Sequence, residues 1–462
     1  MRNEPPTSAA HPSDPTLGDV RASIDRIDRA LVDLLAERRG FALQAARLKP
    51  RVKDPAREAQ VLSNVTALAS LRGIDPALVQ SLWRELMTGF ARAQLGGSGG
   101  GAPAAERANI AALDAMPSPE ELKQRIPLSD AAAATVVRGR RDVEAILDGR
   151  DPRLLVVVGP CSVHDTEAGL DYARRLRALS DEVSDTLLLV MRVYLEKPRT
   201  SVGWEGFTND PRLDGSFRVA EGMERARRFL LDVSELGLPV GTEALDPIAP
   251  QYRGDLVSWN AIGARTAESQ THRNLASGLS TPIGFKNATD GSVDAAVNAI
   301  LAASRPHAFL GIDDRGHSAV VRTRGNRYGH VVLRGGGGRP NFDSVSVSLA
   351  EQALARAGLP RRIVIDCSHA NSWKDPLLQP YVVRDAVNQI RHGNTSIAGL
   401  MIESFIEAGS QPLAATPAGL RYGCSVTDAC LDWERTADTL RDARALLAGI
   451  VAARRRAPAL RG

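Results

Sequence analysis

Residues 154–161, LLVVVGPC, carry five consecutive apolar side chains closed by Gly-Pro and a cysteine. A run without polar alternation is built for burial on both faces, as in a parallel strand with helices on one side and core on the other. The same form recurs as TLLLVMRVY at 186–194, PVGTEAL at 239–245, AIGAR at 261–265, PIGFKN at 282–287, HVVLRGG at 330–336, RIVIDCSH at 362–369 and IAGLMIES at 397–404. Amphipathic helical stretches separate these runs. Eight βα repeats over roughly 300 residues predict an α/β fold of the (β/α)8 TIM-barrel type. An open doubly wound sheet is the competing arrangement. It calls for a glycine-rich first turn leading straight into a helix, which GPCSVHD does not offer. HAFLGIDD (307–314) and HSAVVRT (317–323), around Arg315-Gly316, read as an inserted hairpin.

Outward from the barrel, GGSGGGAP at 96–103 is too glycine-rich for a helix or strand and reads as a tether. The expected organisation is a disordered tail over 1–18, a helical domain over 19–95 and a Gly-rich linker over 96–106. A helical approach over 107–148, the barrel over 149–446 and a C-terminal tail over 447–462 complete it. In the front domain Val20, Ile24, Ile27, Leu31, Leu35, Ala42 and Ala45 form one helical stripe. Asp54-Pro55 and Asp75-Pro76 open two further helices with proline in the first turn. A small all-α domain of three helices, the first unusually long, predicts packing against a partner chain.

Composition excludes several classes. No run approaches the roughly 20 apolar residues of a membrane span, and the first residues lack a secretory apolar segment, so the cytoplasm is the expected location. The 58 basic and 54 acidic residues are interspersed, which argues against nucleic acid as a partner. Four scattered cysteines with no CxxC spacing do not make a disulfide scaffold or zinc knuckle. Arginine is used freely but there are only six lysines, so a lysine at a strand end hints at a requirement for an ammonium.

Barrel chemistry is expected at the C-terminal strand ends. There the sequence places Cys161, then Arg192 followed by Lys197-Pro198-Arg199-Thr200, then Glu243, Arg265, Lys286, Arg334, His369 and Glu403, with Asp428 in SVTDAC beyond. A packed core would exclude such residues. Arg192, Lys197, Arg265, Lys286 and Arg334 repel one another unless a polyanion sits among them, and guanidinium forks suit phosphate and carboxylate. Cys161, His369, Glu403 and Asp428 make an S, N, O, O donor set suited to one divalent transition metal. Crowded cations are also expected to lower the pKa of Lys197.

VVVGPCSVHD, MRVYLEKPRTSVGW, NDPRLDGSF, GFKNATDGS, LRGGG, IDCSHANS, IESFIEAGSQ and SVTDACLDWE, with the long stretch from APQYRG to SGLS, resemble type I 3-deoxy-D-arabino-heptulosonate 7-phosphate (DAHP) synthase. The resemblance spans about 125–445 in the family's order. It implies condensation of phosphoenolpyruvate with erythrose 4-phosphate and water to DAHP and phosphate, the first step of the shikimate pathway, by a homodimer or homotetramer. It implies one divalent ion (Mn²⁺, Fe²⁺, Co²⁺ or Zn²⁺) on Cys161, His369, Glu403 and Asp428, and phosphoenolpyruvate on Arg192, Lys197, Arg265, Lys286 and Arg334. Lys197, Pro198, Arg199 and Thr200 would border erythrose 4-phosphate, Lys197 would donate a proton and Glu243 would position water. A synthase of the same chemistry with another sugar-phosphate acceptor is the alternative.

On the first helix Arg38 and Lys49 fall within about 20° of Leu31, at the centre of the apolar stripe, which points to an anion held inside a helical bundle. VRASIDRIDRALVDLLAERRGFALQAARLK and DPAREAQVL resemble the all-helical chorismate mutases. That resemblance implies an intertwined dimer and a chorismate/prephenate pocket of Arg21, Arg38, Lys49, Asp54, Arg57, Glu58 and Gln94. The competing expectation is a module that senses chorismate or prephenate without turnover, or one that acts on a chorismate analogue.

Overall fold

A computed structural model describes residues 16–48, 55–83, 86–87, 109–110, 112–199, 203–413 and 419–456. The chain divides into two units, Met1–Asp114 and Ala115–Gly462.

Eight parallel strands close the second unit into a barrel: β1 (Leu154–Gly159), β2 (Leu187–Arg192), β3 (Val240–Glu243), β4 (Trp259–Ile262), β5 (Ile283–Lys286), β8 (Gly329–Leu333), β9 (Ile363–Asp366) and β10 (Ile397–Glu403). The order around the barrel is β1-β10-β9-β8-β5-β4-β3-β2, so closure rules out the open sheet. β6 (Ala308–Ile312) and β7 (Ser318–Arg322) form the antiparallel hairpin between β5 and β8, with Leu310 opposite Val320. The fourth strand lies earlier than expected. It begins at Trp259 and ends at Ile262, leaving Arg265 in the turn beyond.

The two-residue period of a strand sorts each run between two cores. Leu154, Val156 and Val158 pack outward with the helices, while Leu155 and Val157 point inward. Leu188, Val190, Val332, Val364 and Met401 join them inside. Trp259 fills much of the interior, and its indole fits because its neighbours are glycines. A Cβ at Gly284 would stand 2.5 Å from Trp259 Cζ2, and one at Gly241 would stand 3.1 Å from Cε3. Below, the helix Asp130–Leu147 brings Val143, Ile146 and Leu147 onto the same cluster and plugs the N-terminal end. Each such fully buried aliphatic side chain contributes roughly 1.5–3 kcal/mol. The preceding helix Pro119–Arg125 starts at a Ser118 capping box and ties to the hairpin turn through Lys123–Asp314 at 3.1 Å.

Two expected boundaries move. Thr16 and Asp19 exchange backbone and side-chain bonds (Thr16 N to Asp19 Oδ2 2.9 Å, Asp19 N to Thr16 Oγ1 3.3 Å), so the first helix starts at Leu17, inside the expected tail. At the other end the helix Trp433–Arg456 runs through the expected tail from 447, because Leu447 and Val451 are buried on it.

In the first unit the helix Leu17–Leu48 is 32 residues long and the helix Pro55–Leu71 follows. Its apolar stripe is mostly uncovered: Ile24 and Leu31 are each 51% exposed. Arg38 is half-buried, whereas Arg21, Arg57 and Glu58 are exposed. Lys49, Asp54 and Gln94 lie outside the described residues.

His330, on β8, accepts the Trp259 indole N–H at 3.2 Å inside the barrel, and burial pushes its pKa from 6.5 down to about 4. The imidazole is therefore neutral in the fold and takes a proton more readily when unfolded. It contributes stability above pH 6.5, and that contribution is lost as pH falls toward 4. The loss by pH 5 should be about 2 kcal/mol. His330→Gln keeps an acceptor for the indole and removes the titration. Urea denaturation at pH 8 and pH 5 should show a pH difference smaller by about that amount in the variant than in the wild type.

Candidate active site

The alternation that fills the barrel with apolar layers also decides what stands above them. Two residues past each inward apolar or glycine position comes a functional side chain. Val190 leads to Arg192, Gly241 to Glu243, Gly284 to Lys286, Val332 to Arg334, Val364 to Asp366 and Met401 to Glu403. Cys161 stands four residues past Val157, in the turn after β1, and is buried. The strand ends thus converge on one cavity of about 250 Å³, lined by Arg192, Lys197, Glu243, Arg265, Lys286, Arg334, His369 and Asp428 among others.

Arg192 is the most enclosed of the cations lining this cavity. Nη1 donates to Pro160 O at 2.7 Å and Cys161 O at 2.8 Å, and Nη2 donates to Glu403 Oε1 at 2.8 Å. Both partners of this ion pair are 1% exposed. The guanidinium lies 3.6 Å from the centre of the Tyr194 ring, within cation–π range. Arg334 shows what crowding costs: burial lowers its pKa, and Arg265 lowers it further against Asp366, Glu403 and Asp428. Lys197, Pro198 and Arg199 also line a second cavity of about 850 Å³. Thr200 lies outside the described residues.

Of the four candidate metal ligands, Cys161, Glu403 and Asp428 each offer a ligand atom within 4.8 Å of the others. His369 adjoins this group, with Nε2 3.9 Å from Glu403 Oε1. One thiol, two carboxylates and one imidazole converging at a cavity wall fit a divalent transition ion. Burial opposes ionisation of Asp428, but Lys197, Lys374 and His369 hold its carboxyl below the usual range, which keeps it ready as an anionic ligand.

Lys197 departs from expectation. Burial pulls its pKa down, but Cys161, Glu403 and Glu243 push it up by more, so the group stands above an ordinary lysine. The expected lowering counted only the cations; folding brings the acidic groups equally close. Lys197 Nζ lies 3.1 Å from Cys161 Sγ and 3.3 Å from Cys161 O. Burial raises the Cys161 thiol as well, with Glu403 adding to it.

Three residues at the site were not singled out from sequence. Asp366 closes β9 and is fully buried between Lys286 Nζ at 2.8 Å and His369 Nδ1 at 3.0 Å. Burial would raise its pKa, yet His369 and Lys286 hold it well below the ordinary value. The strand-end rule would have found it, but His369, three residues on, drew attention to the following turn. Tyr194 lines the cavity with a buried hydroxyl that has no partner among the described residues. Lys374, one of the scarce lysines, reaches Asp428 Oδ1 at 3.5 Å. The Oε1 of Glu243 is likewise buried and unpartnered, and a Cβ at Gly263 would stand 2.2 Å from it. Only glycine leaves that oxygen room.

Residues 126–441 match the DAHP synthetase I family, and residues 20–95 match chorismate mutase type II. Among curated relatives, the Tyr-sensitive phospho-2-dehydro-3-deoxyheptonate aldolase of Salmonella typhimurium is 54% identical over 337 residues, covering 73% of this chain and 94% of that one. The Phe-sensitive enzyme of Escherichia coli is 50% identical, covering 73% and 95%. A phospho-2-dehydro-3-deoxyheptonate aldolase of Corynebacterium glutamicum is 50% identical over 339 residues, covering 72% and 91%. Among solved structures, the phospho-2-dehydro-3-deoxyheptonate aldolase of Francisella tularensis SCHU S4 superposes with a TM-score of 0.72 at 46% identity, covering 76% of this chain and all of that one.

Removing one partner of the buried Arg192–Glu403 pair leaves an uncompensated charge. Glu403→Ala should therefore destabilise the metal-stripped protein by about 3–5 kcal/mol in urea denaturation, well beyond the loss of the side chain's packing alone.

Proposed function

The chain belongs to the DAHP synthetase I family, and we propose that its barrel joins phosphoenolpyruvate to D-erythrose 4-phosphate, giving DAHP and phosphate, on the residues gathered above β1–β10. The observation that carries this assignment of residues is the meeting of a cationic wall, around a 250 Å³ cavity that His369 and Asp428 also line, with a mixed S, N, O, O set that Cys161 and Glu403 complete. A trianionic enol phosphate neutralises the former. Arg192, Lys197, Arg265, Lys286 and Arg334 hold its carboxylate and phosphate by charge-assisted hydrogen bonds. Pro198, Arg199 and Thr200 receive the sugar phosphate from the adjoining wider cavity, so Lys197 serves both substrates.

Cys161, His369, Glu403 and Asp428 would hold one divalent ion, which when bound supplies Lewis-acid polarisation of the aldehyde oxygen. C3 of phosphoenolpyruvate attacks the aldehyde carbon, forming the new C–C bond. Lys197, held as an ammonium, delivers a proton to the oxygen that becomes the hydroxyl. Water adds at C2, and Glu243, with its unpartnered Oε1 on the cavity wall, orients that water and takes up its proton. The phosphate then leaves by cleavage of its bond to C2, its charge offset by the same cations.

For the front unit the reading is a chorismate mutase acting as a pair of intertwined copies. Its support is the match over 20–95, the long helix with its uncovered apolar stripe, and the half-buried Arg38 in phase with that stripe. Arg21, Arg38 and Arg57 would clamp the two carboxylates of chorismate in a compact shape, with Lys49 and Gln94 at the breaking ether oxygen. Asp54 and Glu58 complete the polar lining.

The metal-stripped full-length protein should form no DAHP from the two substrates, and added Mn²⁺ should restore the activity; failure of every divalent ion to do so would overturn the metal-ligand assignment. In the same protein, chorismate should disappear with formation of prephenate, and Arg38→Ala should slow that reaction at least 100-fold, roughly the loss of one oriented charge contact, while DAHP formation continues. Chorismate binding without turnover in the wild type would replace the mutase reading with a sensing one.

A further inference from the structure

The two halves of the site share one group. Asp366 Oδ2 accepts from Lys286 Nζ at 2.8 Å and lies 3.0 Å from His369 Nδ1. Its Oδ1 accepts from Ser368 N at 3.1 Å and from Ser368 Oγ at 2.6 Å, and its carbonyl oxygen accepts from Asn371 Nδ2 at 2.8 Å. Ser368 Oγ also stands 2.8 Å from His369 Nδ1. The carboxylate is 0% exposed and both its oxygens are engaged, so it has no second resting place.

We propose that Asp366 is a positioning residue that couples the metal-ligand set to the phosphoenolpyruvate-holding set, by fixing His369 and Lys286 against one carboxylate oxygen. This rests on the reading of the site given above. On the histidine side, Ser368 Oγ gives its proton to Asp366 Oδ1 at 2.6 Å and so accepts from Nδ1 at 2.8 Å, which leaves Nε2 with its lone pair, 3.9 Å from Glu403. The hydrogen-bond network assigns that tautomer. His369 opens the short 3-10 helix His369–Ser372 with a left-handed backbone (φ 56°), and its ring Nδ1 is within reach of both Asp366 Oδ2 and Ser368 Oγ. On the lysine side, one ammonium proton is spent on Asp366 and anchors the side chain at the cavity wall, and the others remain for an anion. A carboxylate that orients a metal-binding imidazole typically alters metal affinity 10–100-fold when removed. Here the same change would also release the lysine.

The two consequences separate positioning from plain charge. Deleting a negative group from a cationic cavity should tighten anion binding if electrostatics alone mattered. If Asp366 holds Lys286 in place, binding should weaken instead. Full-length wild type and Asp366→Asn would be compared for Mn²⁺ affinity by chelator competition. Phosphoenolpyruvate affinity would be measured by calorimetry at saturating Mn²⁺, with near-ultraviolet circular dichroism to verify folding. The expected result is a 10–100-fold rise in the Mn²⁺ Kd together with a rise of roughly fivefold or more in the phosphoenolpyruvate Kd, about the loss of one charge-assisted contact. Unchanged Mn²⁺ binding, or equal or tighter phosphoenolpyruvate binding, in folded Asp366→Asn would overturn the coupling. Absence of either binding in the wild type would overturn the site reading and this role with it. Should Asp366→Asn not fold, Ser368→Ala removes the hydroxyl that braces both Asp366 and His369. It should weaken Mn²⁺ binding roughly threefold or more, a fraction of the full effect, and an unchanged Mn²⁺ Kd there would count against the proposal.

Discussion

The site depends on a carboxylate being buried beside every buried cation. Arg192 meets Glu403, and Lys286 meets Asp366. Each of these residues ends an inward column of barrel side chains, where desolvation of a lone charge would cost several kcal/mol. Pairing across the barrel lowers that cost, and it ties β2 to β10 and β5 to β9, strands that are not neighbours in the sheet. The pairing is incomplete by design of the sequence: Arg265, Arg334 and Lys197 add charge that the carboxylates only partly offset, and burial depresses Arg334 accordingly. That residual positive field is what a phosphorylated, carboxylated substrate completes.

The same constraint explains why the cavity wall carries unsatisfied polar atoms. Tyr194 Oη and Glu243 Oε1 are buried without partners among the described residues, a state that costs about 1–3 kcal/mol each in an apolar interior. Around them the fold makes close-fitting room. Gly263 leaves space for Glu243, and the Tyr194 ring lies against the Arg192 guanidinium. Beneath this polar layer, Trp259 and its glycine neighbours close the barrel with tight apolar packing, so the polar layer stands on a rigid base. Rigidity of that kind is what pre-organised catalysis asks of a scaffold.

Most of the barrel was legible because strands buried on both faces declare themselves as continuous apolar runs, and all eight runs became barrel strands. The inserted hairpin was legible for a similar reason, from two β-branched runs about an Arg-Gly turn. The boundaries were less so. A helix that continues past Arg444 because Leu447 and Val451 find a surface to cover cannot be told from a tail by local composition. The cationic residues were legible as strand-end arginines and lysines. Their compensating acids were read as a metal set or, in the case of Asp366, passed over, since nothing local marks an aspartate as the partner of a lysine 80 residues away.

By itself the sequence determined the βα rhythm, the inward column on each strand and the kinds of chemical group at its end. Those depend on side-chain periodicity and on exclusion of charge from packed cores, both local properties. Only the closed tertiary structure decided which groups meet. It set Cys161, Glu403 and Asp428 within 4.8 Å of one another, with His369 beside them, and it raised the pKa of Lys197 where cation crowding alone predicted a lowering. The reason is physical: electrostatics sums over every charge within reach, and only closure of the barrel brings the acidic groups as near as the basic ones.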